Sequence, residues 1–358
     1  MRVYPMDINK RIFGLSKSQI LPILSNIVGD KVLSFDININ HQVQGYRGYS
    51  ADKIIPTFTY ITESGLTGEV TVFIKKFYDS GPVEVHHYVY LQKYNAPIPR
   101  MYGFLTDTEQ HEILFLEYLE PIGDVEACRT FTSNIEHFRK LLSVAAKFNA
   151  IKPSDEYIEH LSYRNFDNGL KNAVSVLDDL FDHALKGELG NDLKQFCLES
   201  QHELSNLQKF TLSLINPINH IEIGLLHGDI YPENTCWNKD KSELIIIDFE
   251  HVGLGPRFYD VALWLGSPDH IKKYNDLHQH YLGQYNDLSD KLVTLKDFVN
   301  EVFILWFAWN LTGLWFPLGR ALDGLNDWTE DREEGRQFFR NELIETLSTI
   351  LRDKKFSM

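Results

Sequence analysis

Basic charge, cysteine and uninterrupted apolar sequence are what this chain has least of. Its 35 Lys and Arg against 50 Asp and Glu leave a net charge of −15. That balance repels nucleic acid and attracts cationic small molecules. Its three cysteines, Cys128, Cys197 and Cys236, lie far apart and form no metal-ligand or redox spacing. With no secretory charge-then-apolar pattern at the start, they point to a reducing cytoplasm. The longest apolar stretches, Val302 to Phe316 among them, are broken by residues such as Asn310 and Gly313. They fall short of a membrane span, so a soluble protein with no membrane partner is expected. No internal repeat or low-complexity tract stands out. Histidines are scattered; the adjacent pair His86-His87 would point about a quarter-turn apart on a helix and makes a poor joint metal site.

What the sequence does have is apolar material for a core: hydrophobic residues make up 43% of 358. That length is long for one core, and two lobes are expected, residues 1–118 and 119–358. The first reads as strand-rich, with strands over Leu33 to Ile39, Ile54 to Ile61, Glu69 to Phe77 and Ile113 to Leu119. A helix over Lys17 to Val28 precedes them, opened by a Ser16-Lys-Ser-Gln19 capping box and stopped by Gly29; Pro22 inside it is a signal for a kink or an early end. The remainder carries helical periodicity over Asn134 to Phe148, Gly169 to Leu185, Asn191 to Leu214, Leu292 to Leu314 and Asp331 to Leu351. An α+β fold follows.

The chemistry is concentrated between His227 and Glu250. Two apolar runs, Ile221 to Leu226 and Leu244 to Ile247, each end in an acid-bearing polar cluster. They read as short buried strands that deliver Asp229, Asn234 and Asp248 to one rim. Carboxylates crowded at strand ends repel one another and lose hydration, so they need a cation. An Asp and an Asn carboxamide are hard oxygen ligands suited to Mg2+ carried on a nucleotide. Asp229 is then left to accept a proton from an attacking hydroxyl, and the set fits phosphoryl transfer.

The run His227-Gly-Asp229, four residues, Asn234, then an apolar strand ending in Asp248 resembles the catalytic core of the aminoglycoside phosphotransferases and related choline-kinase-like small-molecule kinases. The resemblance implies a two-lobed, protein-kinase-like fold. It implies that Asp229 is the catalytic base, Asn234 and Asp248 the magnesium ligands, and ATP or GTP the phosphate donor. His227 and Asp260, the latter heading Asp260-Val-Ala-Leu-Trp-Leu-Gly266, match positions that support the catalytic loop, Asp260 by backbone hydrogen bonds. Protein kinases place a lysine two residues after the catalytic Asp; here Tyr231 stands there, and Asp248 is followed by Phe249-Glu250. Only eleven residues separate Asp248 from Asp260, too few for a long activation segment. These departures indicate a small-molecule acceptor, and without that lysine another cation, or the metal alone, must neutralise the transferring phosphate.

The same resemblance assigns nucleotide contacts in the first half. Lys75 matches the strand lysine that reaches the phosphates, with Phe73 on its face, and Glu84 the glutamate that pairs with it; Lys76 competes by one residue but points to the opposite face of a strand. Ala96-Pro-Ile-Pro-Arg100 fits a Pro-x-Pro common at that point. Glu117 and Leu119 fall where backbone groups meet the adenine. Gly48 and Ser50, in Gly45-Tyr-Arg-Gly-Tyr-Ser50, suit a phosphate-covering loop, although an ordinary hairpin loop reads equally well.

For the acceptor, the resemblance implies carboxylates from the carboxyl-terminal helices binding amino groups. Asp327, Glu330 and Asp331 are candidates, with a solvated acidic helix start as the alternative. Glu250, close along the chain to the metal ligands, is another. Trp306, Trp309 and Trp315 offer an aromatic wall for a sugar or quaternary amine, or plain core packing. The expected protein is a kinase for a hydroxyl of a small, cationic acceptor, an aminoglycoside-type antibiotic first, with choline-like or sugar metabolites and a non-catalytic nucleotide-binding regulator as alternatives.

Overall fold

The computed structural model describes residues 12–42, 51–77, 83–122, 135–240, 242–325 and 331–354. Two compact units emerge, each discontinuous in sequence: residues 1–140 with 231–251, and residues 141–230 with 252–358. The sequence reading draws a single boundary after residue 118; in the structure residues 119–140 and the separate segment from Tyr231 to His251 also group with the first unit, the latter through its backbone hydrogen bonds.

The first unit is built on a five-stranded antiparallel sheet in the order β1-β2-β3-β5-β4. The strands are β1 (Val32–Gln42), β2 (Ala51–Thr62), β3 (Thr67–Phe77), β4 (Met101–Thr106) and β5 (Glu112–Glu117). Helix α1 (Lys17–Val28) covers one face. Gln19 Oε1 accepts the Ser16 backbone N–H at 2.9 Å, and Gly29, at φ +76°, ends the helix in the left-handed conformation. Pro22 neither stops nor shortens it. Beneath α1, Ile20, Leu24, Phe35, Phe58, Val72, Ile74 and Phe115 form one buried cluster. Val72 and Ile74 come from alternate positions of β3, so Phe73 and Lys75 are turned to the other face. That alternation separates the two candidate lysines: Lys76 pairs with Asp107 at 2.7 Å, and Lys75 with Glu84.

Strands β8 (Thr235–Trp237) and β9 (Leu244–Ile246) form an antiparallel hairpin in the same unit. Ile246 donates its backbone N–H to Pro97 O and Trp237 to Glu120 O, at 2.8 and 2.9 Å, and Cys236 bridges to Pro121. These bonds tie the hairpin to the segments flanking β4 and β5, which is why it groups with the sheet.

The second unit is mainly helical, with a small sheet in the order β6-β10-β7 formed by Ser162–Tyr163, Gly253–Pro256 and Ile223–Leu226. Helices over Phe166–Leu185, Leu295–Gly313 and Arg332–Lys354 match the expected periodicities closely. The segment expected as one helix from Asn191 to Leu214 divides at Ser200 into Gly190–Glu199 and Gln201–Ser213. Helices Asn275–Leu288 and Trp315–Asp323 are additions to the sequence expectation; the first buries Leu277, Tyr281 and Tyr285 at helical spacing.

The apolar stretch from Leu295 to Asp323 runs further than its sequence suggested. By length and mean hydropathy, 1.4 in its most apolar window, it equals a membrane span, because Asn310 and Gly313 interrupt it too weakly. Half of that window is buried, with Phe298, Val302, Leu305, Phe307 and Leu311 among the core residues. That buried half packs inside this unit.

Helix Leu295–Gly313 lies against helix Tyr259–Leu265 at Gly266. A Cβ at Gly266 would stand 2.1 Å from Val302 O and 2.6 Å from Trp306 Cβ. Gly266→Ala therefore forces the two helices apart, and we expect a loss of about 1–3 kcal/mol, read as a lower urea midpoint at unchanged m-value.

Candidate active site

Lys75 and Glu84 form an ion pair that is almost entirely buried, each residue retaining 3% exposure. Glu84 sits in the first turn of α2 (Val83–Leu91), whose Val85, Tyr88 and Leu91 anchor it in the core. Lys75 Nζ donates to Glu84 Oε2 at 2.5 Å and to Asp248 Oδ1 at 3.0 Å. Burial alone would push the ammonium pKa down, but the two carboxylates override it and hold the Lys75 proton more tightly than usual. Three groups separated by up to 173 positions thus meet at one point.

Asp248 follows β9 and adopts φ +68°, a left-handed conformation that residues other than glycine enter at a cost of order 1–3 kcal/mol. What fixes it is on both sides. Its carboxylate lies on Lys75 and, at 3.6 Å through Oδ2, on Lys53 of β2. The next residue, Phe249, is fully buried and packs edge-on against Tyr88 of α2 with ring centroids 4.9 Å apart. Asn234, just before β8, accepts the Ile247 backbone N–H at its own carbonyl, 2.9 Å away. That bond aligns the two ends of the hairpin, and both Asn234 and Asp248 line one cavity.

The cavity, about 350 Å³, lies wholly within the first unit. Lys53, Lys75, Glu84, Asn234 and Asp248 form its polar end. Phe73, Leu116 and Ile247 contribute apolar wall, and Glu117, Tyr118 and Leu119 border it after β5. The Glu117 carboxylate is held away on Lys239 at 2.8 Å, while its backbone N–H is bonded to Arg100 O, also at 2.8 Å. Burial pushes the Cys236 thiol in the lining up to about 11, so it is not an activated nucleophile. An Asp carboxylate and an Asn carboxamide at one end of such a cavity are a donor set that fits Mg2+ bound together with phosphate.

Asp229 belongs to the second unit, on the loop after β7. Asp260 holds this loop from below: its Oδ2 accepts the His227 N–H and its Oδ1 the Gly228 N–H, each at 2.8 Å. Asn149 donates to the same carboxylate at 2.7 Å and is itself bonded by the Tyr281 hydroxyl at 3.0 Å. Burial raises the Asp260 pKa, opposed by these hydrogen bonds. Gly228, at φ +85°, supplies the turn a side chain would disfavour. The Asp229 N–H then points to His227 Nδ1 at 3.3 Å, and His227 is completely buried. Arg164 donates to Gly228 O at 3.3 Å from the other side.

The structure therefore brings Lys75, Glu84, Asn234 and Asp248 together, with Glu117 and Leu119 at the same cavity, and sets Asp229 on a loop organised by His227 and Asp260. Of the carboxylate candidates for the acceptor, Glu250 and Asp331 are among the described residues. Glu250 is exposed beside His251. Asp331 caps the last helix, accepting the Glu333 N–H at 2.9 Å, which is the solvated helix-start arrangement. Trp306 is core, and Trp315 is 64% exposed. Gly48, Ser50, Asp327 and Glu330 lie outside the described residues.

Lys53 was missed from sequence. Its signal was the turn: centring the β2–β3 hairpin on Ser64 places Lys53 directly opposite Lys75, as the register does. The expected strand begins at Ile54, three residues after the observed start at Ala51, and so leaves Lys53 out.

The chain matches the model of the phosphotransferase enzyme family over residues 74–287. No curated protein sequence matches it significantly. Among solved structures it is similar to spectinomycin phosphotransferase in complex with ADP and spectinomycin, at 13% identity and a TM-score of 0.54, covering 94% of this chain and 99% of that one. It is also similar to an ethanolamine kinase of Plasmodium vivax, at 16% identity and a TM-score of 0.51, covering 90% of this chain and 85% of that one. These likenesses show a protein-kinase-like fold, and the family match covers Lys75, Glu84, Asn234, Asp248 and the loop of Asp229, beginning after Lys53, Ile55 and Phe73 of the cavity. The chain belongs to the phosphotransferase enzyme family and is a small-molecule phosphotransferase.

Proposed function

We propose that the protein transfers the γ-phosphate of ATP, with GTP the alternative donor, to a hydroxyl of a small, cationic acceptor in the cytoplasm. The observation that carries this reading is the buried Lys75–Glu84 pair meeting Asp248 at the polar end of a cavity that Asn234 also lines. Lys75, oriented by Glu84, binds the nucleotide phosphates; Asn234 and Asp248 hold Mg2+, which when bound neutralises phosphate charge. The segment Glu117 to Leu119 offers backbone groups to the base. Asp229 orients the acceptor hydroxyl and takes its proton. The acceptor oxygen bonds to the γ-phosphorus as the bond to the β-phosphate oxygen breaks, and the nucleoside diphosphate leaves. Positioning and charge neutralisation supply most of the acceleration.

An aminoglycoside-type antibiotic is the first acceptor class, supported by the His227-Gly-Asp229 form and the chain's net charge of −15. Choline-like alcohols, ethanolamine and sugars are the alternatives, since one fold hosts several acceptors. Cys197 and Cys236 are free thiols, in keeping with a cytoplasmic setting. The test is phosphate transfer from Mg-ATP and Mg-GTP to aminoglycosides, choline, ethanolamine and hexoses, together with Mg-nucleotide titration of the wild type and of Asp248→Asn. We expect transfer to one class and Mg-nucleotide affinity at least tenfold weaker in the variant. A wild type that binds neither nucleotide overturns the reading.

A further inference from the structure

Lys53 and Lys75 occupy directly opposite positions on the antiparallel strands β2 and β3. Side chains so placed share one face and stand close together, and like charges there repel. Both line the same cavity, and the Lys53 side chain retains only 16% exposure. Burying two cations side by side is costly unless anions accompany them. Here Glu84 and Asp248 do so, balancing the two cations by direct ion pairs; the other carboxylates of the lining are Glu117, paired with Lys239, and Glu233, which is exposed.

That balance holds only while Asp248 is available to the lysines. Once its carboxylate ligates a metal ion, Lys75 keeps Glu84, whereas Lys53, 3.6 Å from Asp248 Oδ2, needs another anion in the same cavity. A nucleotide's phosphate chain is that anion. The catalytic loop also has Tyr231 where a lysine would otherwise face the transferred phosphate. A second cation from the sheet makes up that deficit, and a lysine suits the task because its flexible four-carbon stem lets the charge move between neighbouring acceptors.

We propose that Lys53 is a second phosphate-binding lysine, resting on Asp248 in the free protein and passing to a phosphate oxygen when the metal–nucleotide complex binds. The assignment rests on the phosphotransfer reading above and adds to it a residue in the nucleotide site. It makes Lys53 sensitive to phosphate and indifferent to the base.

The experiment is calorimetric titration of wild type, Lys53→Met, Lys53→Gln and Lys53→Arg with Mg-ATP, Mg-ADP and adenosine, with melting temperatures alongside. A charge-assisted contact is worth about 1.5–3 kcal/mol, so Lys53→Met and Lys53→Gln should weaken Mg-ATP binding about ten- to a hundredfold. Adenosine affinity should stay within about twofold, and Lys53→Arg should recover most of the loss. Mg-ATP affinity unchanged in Lys53→Met, beside a wild type that binds it, overturns the assignment of Lys53 alone. Tighter binding makes Lys53 a plug on Asp248 and also overturns it, as does an equal loss for adenosine. A wild type that binds no nucleotide overturns the phosphotransfer reading itself, a separate outcome.

Discussion

Asp229→Asn is expected to lower turnover by about 10³–10⁴-fold, at the upper end of what one general base contributes, while nucleotide affinity stays within about threefold of wild type. The two halves of this expectation have separate structural grounds. The cavity proposed for the nucleotide is lined by residues of the first unit and does not include Asp229. The loop that carries Asp229 is held by its backbone, through Asp260, Asn149 and Gly228, so exchanging one carboxylate oxygen for an amide leaves the loop in place. What the variant loses is the group that aligns an acceptor hydroxyl and takes its proton. The check is a coupled assay of nucleoside diphosphate release beside calorimetric nucleotide titration. Turnover within tenfold of wild type would remove Asp229 from the role of base.

The second large effect concerns the buried ion pair. Lys75→Met should cost about 3–5 kcal/mol of stability and abolish detectable turnover, because it leaves Glu84 buried without its cation. Glu84→Gln should cost less, since a neutral amide can still accept from Lys75, which retains Asp248. The double variant Lys75→Met with Glu84→Gln should regain much of the lost stability and none of the activity. That pattern in urea unfolding separates the pair's structural cost from its chemistry.

A pH dependence follows for the single variant. Burial pushes the Glu84 carboxyl up, and without Lys75 nothing nearby of comparable strength pulls it down. The folded variant then holds a proton that the unfolded chain releases at about pH 4.3. Its stability is greatest below that value and declines as the pH rises through the raised folded pKa. The double variant, lacking the carboxyl, should show no such decline. Parallel curves for the two would mean that another group sets the dependence.

How much of this was legible in the chain differs from element to element, for reasons particular residues make plain. Helix α1 and its ends could be read because capping is local chemistry: Ser16, Gln19 and Gly29 act on backbone groups within a turn of themselves. The placement of Asp229 and Asp248 after short strands could be read because an apolar run that stops at an acid has few other uses, whereas Asn234 ends a 3-10 turn and leads into β8, a strand the sequence did not announce. Lys75 could be separated from Lys76 because a strand alternates, and Lys76 does turn away to Asp107. The long helix after Leu189 was misread as continuous because its two halves share an apolar stripe, and periodicity is blind to a one-residue break such as Ser200.

The sequence by itself determined the reaction class, since residue types at fixed spacing on neighbouring strands carry that chemistry wherever the strands lie. It determined the orientation of β3 and the family to which the chain belongs. Only the tertiary structure decided the rest. The distant β8–β9 hairpin set Asp248 on both Lys75 and Lys53, which the β2–β3 turn had already placed opposite each other. Long-range backbone bonds to Pro97 and Glu120 attached the β8–β9 hairpin to the sheet and so delivered Asn234 and Asp248 to the cavity. Long-range hydrogen bonds made Asp260 the holder of the loop that carries Asp229, and packing buried half of the most apolar window of the run from Leu295. Each of these depends on which distant segment excludes water from which side chain, and no local pattern of residues encodes that.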